Sequence, residues 1–311
     1  MPCDEIIEAF PCFGSTCGVL VDGDGGLGSA VEAVDTARAC LESWHARFTR
    51  FDPDSELSRL NADPRPAVEV TPIMARFVAA AAAAAEWTGG LVDPTLLADL
   101  ERAGYASDQC APLPLDLALR LTPHRRAGGP SPDARWSDVW VTNNTVVRPP
   151  GVKLDSGGIV KGLFADVLGE LLDTHPAYAV DCAGDLRIGG AAGLHRPVNV
   201  ASPFGDKILH VFELADAGIA TSGIGKRSRL DAHGAPAHRL LDPATGRPTF
   251  TGVVQATAIA PTALEAELRA KAAVLSGPDG AAAWLPHGGV VVLDDGSFLV
   301  HDAVVASKLQ H

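Results

Sequence analysis

The residues best suited to chemistry gather in one segment, Lys153 to Asp166, with the sequence KLDSGGIVKGLFAD. An apolar strand end and an Asp precede two glycines, and Lys161 stands where a helical pattern begins. Gly157 and Gly158 allow close backbone approach and unusual φ values. The first N–H groups of a helix are unpaired and carry the positive end of its dipole. The segment therefore predicts a turn that holds an anion such as a phosphate. A turn used only for packing, with Lys161 in solvent, is the alternative.

The composition narrows the class of protein. The 311 residues are 47% hydrophobic, enough for a large core in one or two domains. The formal net charge of −13 argues against nonspecific nucleic-acid binding, because no basic excess is available to pair phosphates. The longest apolar run, residues 77–85, is about half the roughly 20 residues of a membrane-spanning helix, so no membrane segment is predicted.

Cysteine usage and the first residues favour a cytoplasmic protein. The six cysteines show no CxxC pair, which predicts reduced, mostly buried thiols rather than disulfides or a zinc site. The chain begins MPCDEIIE, without the basic and apolar regions of a signal peptide, so a cytoplasmic location is expected.

Periodicity indicates helices and strand pairs in alternation. Apolar residues recur at helical spacing over residues 29–48 and 71–87, with Ser29 and Thr71 as N-cap candidates. An Asn143-Asn144 turn predicts a hairpin over 136–148. Residues 106–135 are rich in Pro, Ser, Asp and Arg and predict a surface loop with one short helix at 115–121. Further strands are predicted at 178–182, 196–201, 207–214, 252–260, 289–293 and 297–301, and further helices at 159–173, 262–275 and 278–284. The pattern predicts an α+β fold with an antiparallel sheet.

Eight short motifs lie in a fixed order along the chain. They are FGST at 13–16, DSELSRLN at 54–61, VDPT at 92–95, LDSGGIVKG at 154–162, AGD at 183–185, ATSG at 220–223, HRLLDPATG at 238–246 and APTALEA at 260–266. In type and order they resemble the FAD:protein FMN transferase family, often called ApbE, over about residues 10–302. That family binds FAD, cleaves its pyrophosphate with Mg²⁺ and links the FMN half by a phosphoester to a Thr of a target protein, releasing AMP. The resemblance implies a T-fold-like α+β architecture in one compact unit, residues 1–311.

The resemblance also implies roles for individual residues. Lys161 would contact FAD, and the backbone carbonyl of Val160 would bind the metal ion. His238 matches the position proposed to activate the acceptor Thr, a task that suits an imidazole near neutral pH. The plainer interpretation of His238 is a strand histidine satisfied by a neighbour.

Other positions are expected to contact FAD by the same resemblance. These are Phe13, Phe51, Asp93, Gly157, Gly158, Thr221 and Ser222, beside Lys161 and His238. Thr221 and Ser222 offer hydroxyl donors, although an ordinary Ser/Thr turn explains them equally. Phe51 would stack on the cofactor or, alternatively, belong to the core. Asp93 precedes a proline and also fits a plain turn. Asn61 and the loop Asp242 to Gly246 are predicted to be structural.

One departure from the family stands out at residues 267 and 271. The family commonly has an Asp and, four residues later, a Thr or Ser that bind the metal ion; this chain has Glu267 and Lys271. Glu267 still offers oxygen ligands, but a longer side chain suits the strict geometry of Mg²⁺ poorly, and a charged Lys271 cannot ligate. The pair fits an ordinary i,i+4 ion pair. The sharper hypothesis is that the Lys271 ammonium replaces the metal ion beside the pyrophosphate.

Three functions follow. The first is transfer of FMN from FAD to a protein Thr, with Mg²⁺ doubtful. The second is FAD binding without transfer, as in a degenerate member. The third is an FAD pyrophosphatase that yields FMN and AMP. The expected partners are FAD and a Thr-containing acceptor protein.

Overall fold

The structure is a computed structural model that describes residues 5–105, 113–226, 228–231 and 233–303. Cys3 and Cys110 lie outside the described residues, as does the stretch 106–112 of the predicted surface loop.

An eight-stranded antiparallel sheet forms the centre of the described chain. Its strands are β1 (Glu5–Cys12), β2 (Ser15–Asp22), β6 (Ala177–Cys182), β7 (Asp185–Gly189), β10 (Ala217–Gly223), β15 (Val253–Ala260), β16 (Gly289–Leu293) and β17 (Phe298–His301), in that spatial order. Every residue of β15 is buried, and its sequence VVQATAIA is correspondingly apolar and small. The predicted α+β class with an antiparallel sheet is confirmed.

Smaller strand groups lie around this sheet. Strands β3 (Ala67–Glu69), β4 (Trp140–Thr142) and β5 (Thr145–Val147) pair in the order β3-β5-β4. Strands β8 (Arg196–Ala201) and β9 (Ile208–Leu214) form a ribbon. Strands β11 (Arg229–Leu230) and β12 (Pro236–Ala237) pair, as do β13 (Leu241–Asp242) and β14 (Arg247–Pro248). The predicted hairpin turns at Asn143, whose φ of 54° is left-handed.

Seven α-helices occupy the described residues. They are α1 (Ala30–Phe48), α2 (Glu56–Ala62), α3 (Pro72–Trp87), α4 (Leu97–Leu100), α5 (Leu115–Leu121), α6 (Val160–Leu172) and α7 (Ala263–Ala281). Ser29 caps α1 with a complete capping box to Glu32, as its sequence predicts. The two predicted helices near residue 277 follow one another with a break at Gly277, whose φ is 71°. A 3₁₀ turn, Ala282–Trp284, completes the second one.

Helices α6 and α7 pack together with their first turns in contact, and each supplies a carboxylate to the other. Asp166 on α6 accepts hydrogen bonds from the N–H groups of Ala263 (2.7 Å) and Leu264 (2.9 Å) at the start of α7. Glu267 on α7 accepts one from the N–H of Gly162 (3.0 Å) in the first turn of α6. This exchange gives N–H groups in the first turn of each helix a hydrogen-bond acceptor. It also places a negative charge at the positive end of each helix dipole.

Glycine makes the contact between the two helices possible. A Cβ on Gly162 would lie 2.6 Å from the carbonyl oxygen of Ala263, closer than real atoms approach. The α6–α7 pair thereby fixes where Lys161, Glu267 and Lys271 lie.

Candidate functional site

The predicted anion-holding turn is fixed from outside by polar groups. The side-chain amide of Asn61 donates to the carbonyl of Leu154 (2.8 Å) and accepts from its N–H (2.7 Å). Ser156 donates to the carbonyl of Phe48 (3.2 Å), and the N–H of Asp155 donates to the carbonyl of Pro94 (2.8 Å). The structural role expected of Asn61 matches these contacts. The glycines that follow are therefore held in a defined place at the start of α6.

A cleft lies over this turn. Its wall includes Asp155, Gly157, Gly158, Ile159 and Lys271 on one side, and Asp93, Leu96, Arg50 and Arg239 to Leu241 around it. Of the residues predicted to contact FAD, the structure brings Asp93, both glycines and Lys271 together on this wall. The carboxylate of Asp93 accepts from the N–H (2.8 Å) and hydroxyl (2.6 Å) of Thr95, and burial raises its pKa.

Lys161 forms an ion pair with Asp185 just behind the turn. The Lys161 side chain is 24% exposed and the Asp185 side chain 1%, so the solvated alternative for Lys161 is wrong. Burial disfavours the Lys161 ammonium, but the carboxylates of Asp185 and Glu267 together outweigh it and raise the pKa of Lys161. Burial also raises the pKa of Asp185, against the opposing effect of Lys161. Lys161 therefore keeps its positive charge at neutral pH.

Lys271 contacts the turn directly. Its Nζ donates to the carbonyl of Gly158 (2.7 Å) and lies 4.0 Å from Oε1 of Glu267. A Cβ on Gly158 would lie 1.9 Å from this Nζ, so the ammonium could not keep its present position if residue 158 had a side chain. Burial lowers the pKa of Lys271, and the nearby Glu267 carboxylate opposes this. The Lys271 side chain is 13% exposed, which places the i,i+4 pair inside the protein rather than on its surface.

The residues at this place do not fit a magnesium ion. One oxygen of Glu267 accepts from Gly162 and the other faces Lys271, while Asp185 pairs with Lys161. Mg²⁺ requires oxygen ligands in near-octahedral geometry, and two ammonium groups among the carboxylates oppose its charge. Among the described residues, no group of three or more His, Cys, Asp or Glu side chains is arranged to hold a metal ion.

His238 lies buried, 1% exposed, between backbone groups and the ring of Phe250. The N–H of Leu240 donates to its Nδ1 (3.2 Å), whereas Nε2 is buried without a hydrogen-bond partner in the structure. Burial lowers the pKa of His238 to about 4, and the backbone of Thr249 opposes this. The ring is therefore neutral at physiological pH.

The other predicted FAD contacts do not line the cleft. The ring of Phe13 packs 5.0 Å from that of His45 and 5.8 Å from that of Phe164. Thr221 shares a 2.8 Å hydrogen bond with Thr257, and neighbouring Ser222 points to the opposite face of β10 because strand side chains alternate. Phe51 is 43% exposed beneath the guanidinium of Arg50, so its core alternative is wrong.

Three residues of the site were not predicted from the sequence. Asp185 ends the motif AGD, yet nothing in the sequence marks it as the partner of Lys161, 24 residues away. Arg50 and Arg239 line the cleft. In the sequence they are the immediate neighbours of Phe51 and His238, which were predicted as site residues. Arginine next to such residues is a usable signal for a site that takes phosphate.

Fold and site together define an α+β protein with a cleft whose glycine turn, helix start and buried lysines suit a phosphorylated ligand. The family model described as "ApbE family" matches residues 13–293. The chain therefore belongs to the ApbE family, as its motifs predict.

Named relatives agree with this assignment. The chain is 28% identical over 298 residues to the FAD:protein FMN transferase of Treponema pallidum, covering 88% of this chain and 79% of that protein. It is 26% identical over 268 residues to the FAD:protein FMN transferase of Haemophilus influenzae, covering 82% and 75%.

Solved structures show the same fold. The crystal structure of the ApbE protein of Thermotoga maritima superposes with a TM-score of 0.77 at 25% identity, covering 96% of this chain and 97% of that one. The flavinyl transferase ApbE of Pseudomonas stutzeri, in its apo form, superposes with a TM-score of 0.75 at 20% identity, covering 97% and 95%.

Proposed function

We propose that this chain is an FAD:protein FMN transferase that links FMN through a phosphoester to a Thr hydroxyl of a target protein and releases AMP. The observation that carries the proposal is the wall of the cleft, where the Gly157-Gly158 turn opens α6 above two buried lysines. The names of the relatives support the same reaction.

Phosphoryl transfer depends on positioning and on neutralising charge. The acceptor Thr oxygen attacks the phosphorus of the FMN half, the bond from that phosphorus to the bridging oxygen breaks, and AMP leaves with the bridging oxygen. The start of α6 and the charge of Lys161 stabilise the negative phosphates. Lys161 is held for this task by Asp185 rather than left to move in solvent.

His238 is the proposed base for the acceptor hydroxyl. Its low pKa, about 4, keeps the ring able to accept a proton at neutral pH. The bond from Leu240 to Nδ1 directs the ring proton to Nε2. Base catalysis through Nε2 therefore requires that proton to move to Nδ1 first, with loss of the Leu240 bond.

Residues on the wall of the cleft are the proposed FAD contacts, with Asp93, Gly157 and Gly158 nearest the turn. Phe51 lies exposed beside Arg50, where its ring is available to stack on a bound flavin or adenine. Contacts of Phe13, Thr221 and Ser222 with FAD stay proposals from the family resemblance, because these residues lie outside the cleft wall.

A reducing compartment is proposed for the protein. Cys12, Cys17 and Cys182 are buried free thiols. A hydrogen bond with Cys12 lowers the pKa of Cys17, but a hydrogen bond with Cys182 and burial outweigh it and raise this pKa to about 12. Such thiols suit the cytoplasm. No helix among the described residues has the length and apolarity to cross a bilayer.

The test is incubation of the full chain with FAD and a Thr-containing acceptor peptide, scored for AMP and for flavin on the peptide. Both products are expected, and His238→Asn should lose at least about 100-fold in rate while still binding FAD, as expected for removal of a general base. AMP and free FMN without labelled peptide would instead indicate a pyrophosphatase. FAD that stays intact on the protein would indicate a binding protein.

A further inference from the structure

Four charged side chains meet where α6 begins. Lys161 pairs with Asp185, and Lys271 lies 4.0 Å from Glu267, so two ammonium groups and two carboxylates balance in a small buried volume. The side chains of Asp185 and Glu267 are 1% and 4% exposed. Charges buried to this degree are tolerated only when they are paired, so the four groups act as one unit.

Lys271 is the member of this group that reaches the cleft. Within the described residues, its ammonium makes one hydrogen bond, to the carbonyl of Gly158, and it also forms part of the cleft wall. An ammonium has three N–H donors. Donors therefore remain for a ligand that enters over the glycine turn.

Glu267 is committed to holding the structure. Its Oε2 accepts from the N–H of Gly162, which caps α6, and its Oε1 faces Lys271. A carboxylate used in this way cannot turn toward a metal ion without breaking the cap of the helix that carries Lys161.

We propose that Lys271 is the resident cation of this site, contacting the pyrophosphate of FAD in place of a divalent metal ion, so that FAD binds independently of Mg²⁺. The inference rests on the proposal that the cleft binds FAD. It narrows the substrate class to a pyrophosphate whose charge is met at the cleft wall by the ammonium group of Lys271.

The test is a fluorescence titration of the full chain with FAD, in EDTA and again with Mg²⁺. The wild type is expected to give the same Kd in both buffers within about twofold, and calorimetry should detect no saturable Mg²⁺ binding to the FAD complex. Lys271→Thr should weaken binding in EDTA by about tenfold or more, the value of one charge-assisted hydrogen bond.

A double variant tests whether a dependence of FAD binding on Mg²⁺ can be introduced. Glu267→Asp with Lys271→Thr supplies oxygen ligands without the ammonium, and its FAD affinity is expected to rise with Mg²⁺. Lys207→Thr removes the same charge from an exposed loop position and serves as the matched control.

The outcomes separate the two proposals. A wild-type Kd that falls tenfold or more on addition of Mg²⁺ would overturn the role of Lys271, whatever the variants do. So would Lys271→Thr binding FAD normally in EDTA. Metal-independent FAD binding without AMP release would support Lys271 and overturn the transferase. A wild type that binds FAD in neither buffer would overturn both.

Discussion

At Gly158 the absence of a side chain is a condition for the position of Lys271. A Cβ there would lie 1.9 Å from the Lys271 Nζ, while a Cβ on Gly129 would meet Ala244 at an ordinary 3.8 Å. Gly158→Ala should therefore push the ammonium from the cleft wall and weaken FAD binding by about tenfold, the cost of one charge-assisted hydrogen bond. Gly129→Ala is the control, and both affinities can be measured by FAD fluorescence. Equal affinities for the two variants would contradict this account.

His238 gives the protein a specific sensitivity to acid. Its pKa falls from the usual 6.5 to about 4 in the folded state, so between these values the unfolded chain binds a proton that the folded chain does not. Stability therefore falls as the pH drops through this window, with a slope of up to about 1.4 kcal/mol per pH unit from this residue.

The measurement is urea unfolding at several pH values between 7 and 4. His238→Asn should unfold with a shallower pH dependence than the wild type, because the titrating group is gone. His124→Asn, made at an exposed position, controls for loss of an imidazole from the chain. Parallel pH curves for wild type and His238→Asn would show that His238 titrates alike in both states.

At the scale of residues, the sequence predicted which residues belong to the site better than it predicted the contacts between them. Motifs and spacing identified the glycine turn, Lys161, Glu267 and Lys271. The departure from the family at Lys271 can be read directly from the sequence. Asp185 was not found as the partner of Lys161, because that contact depends on β7 lying beside the start of α6. Packing of a helix against a strand from another part of the chain is a long-range property that local patterns do not encode.

At the scale of elements, the exchange of carboxylates between α6 and α7 sets the geometry of the site. Asp166 accepts from two N–H groups at the start of α7, and Asp166→Ala leaves both without a partner. The free energy of unfolding should fall by about 1–2 kcal/mol, as for loss of a helix N-cap.

Urea denaturation measures this change, with Asp173→Ala as the matched control. Asp173 lies exposed at the other end of α6, where a negative charge faces the negative end of the dipole. Its removal should change stability by no more than about 0.5 kcal/mol. If both substitutions had the same small effect, the capping role of Asp166 would be excluded.

The elements themselves were largely predictable, and the reason is their strong periodicity. Helices α1, α3 and α6 follow amphipathic patterns with clear caps or glycines, and the strands near 253–260 and 289–293 are apolar runs. Strands β1, β2, β7 and β10 of the central sheet were missed, as were β3, the short strands β11 to β14 and helices α2 and α4. In β2, β7 and β10, glycines, small residues and Thr weaken the alternation that marks a strand.

At the scale of the molecule, the cleft is assembled from distant parts of the chain. Its wall combines Arg50 with residues drawn from 91–100, 155–159, 239–241 and 271–275. Helix α6 packs against β6 and β7, and α7 against β10 and β15, so the central sheet and this helix pair bring residues 155–159 and 271–275 together. No local pattern predicts such a wall, whereas the order of the eight motifs does so through the family resemblance.

Because the wall joins these distant segments, a ligand that bridges them should stabilise the whole fold. Binding to the folded state alone adds about 2.7 kcal/mol at a ligand concentration of 100 times Kd. For a chain of 311 residues, with an unfolding entropy of about 2.1 cal/mol/K per residue, that raises Tm by about 4 °C. FAD should produce this rise equally in EDTA and in Mg²⁺, since Lys271 supplies the positive charge at the cleft wall. Riboflavin at the same concentration lacks the pyrophosphate and should produce much less. A rise in Tm that appears only with Mg²⁺ would show that the site needs a metal ion. Equal rises for FAD and riboflavin would show that the protein recognises the flavin ring rather than the phosphates.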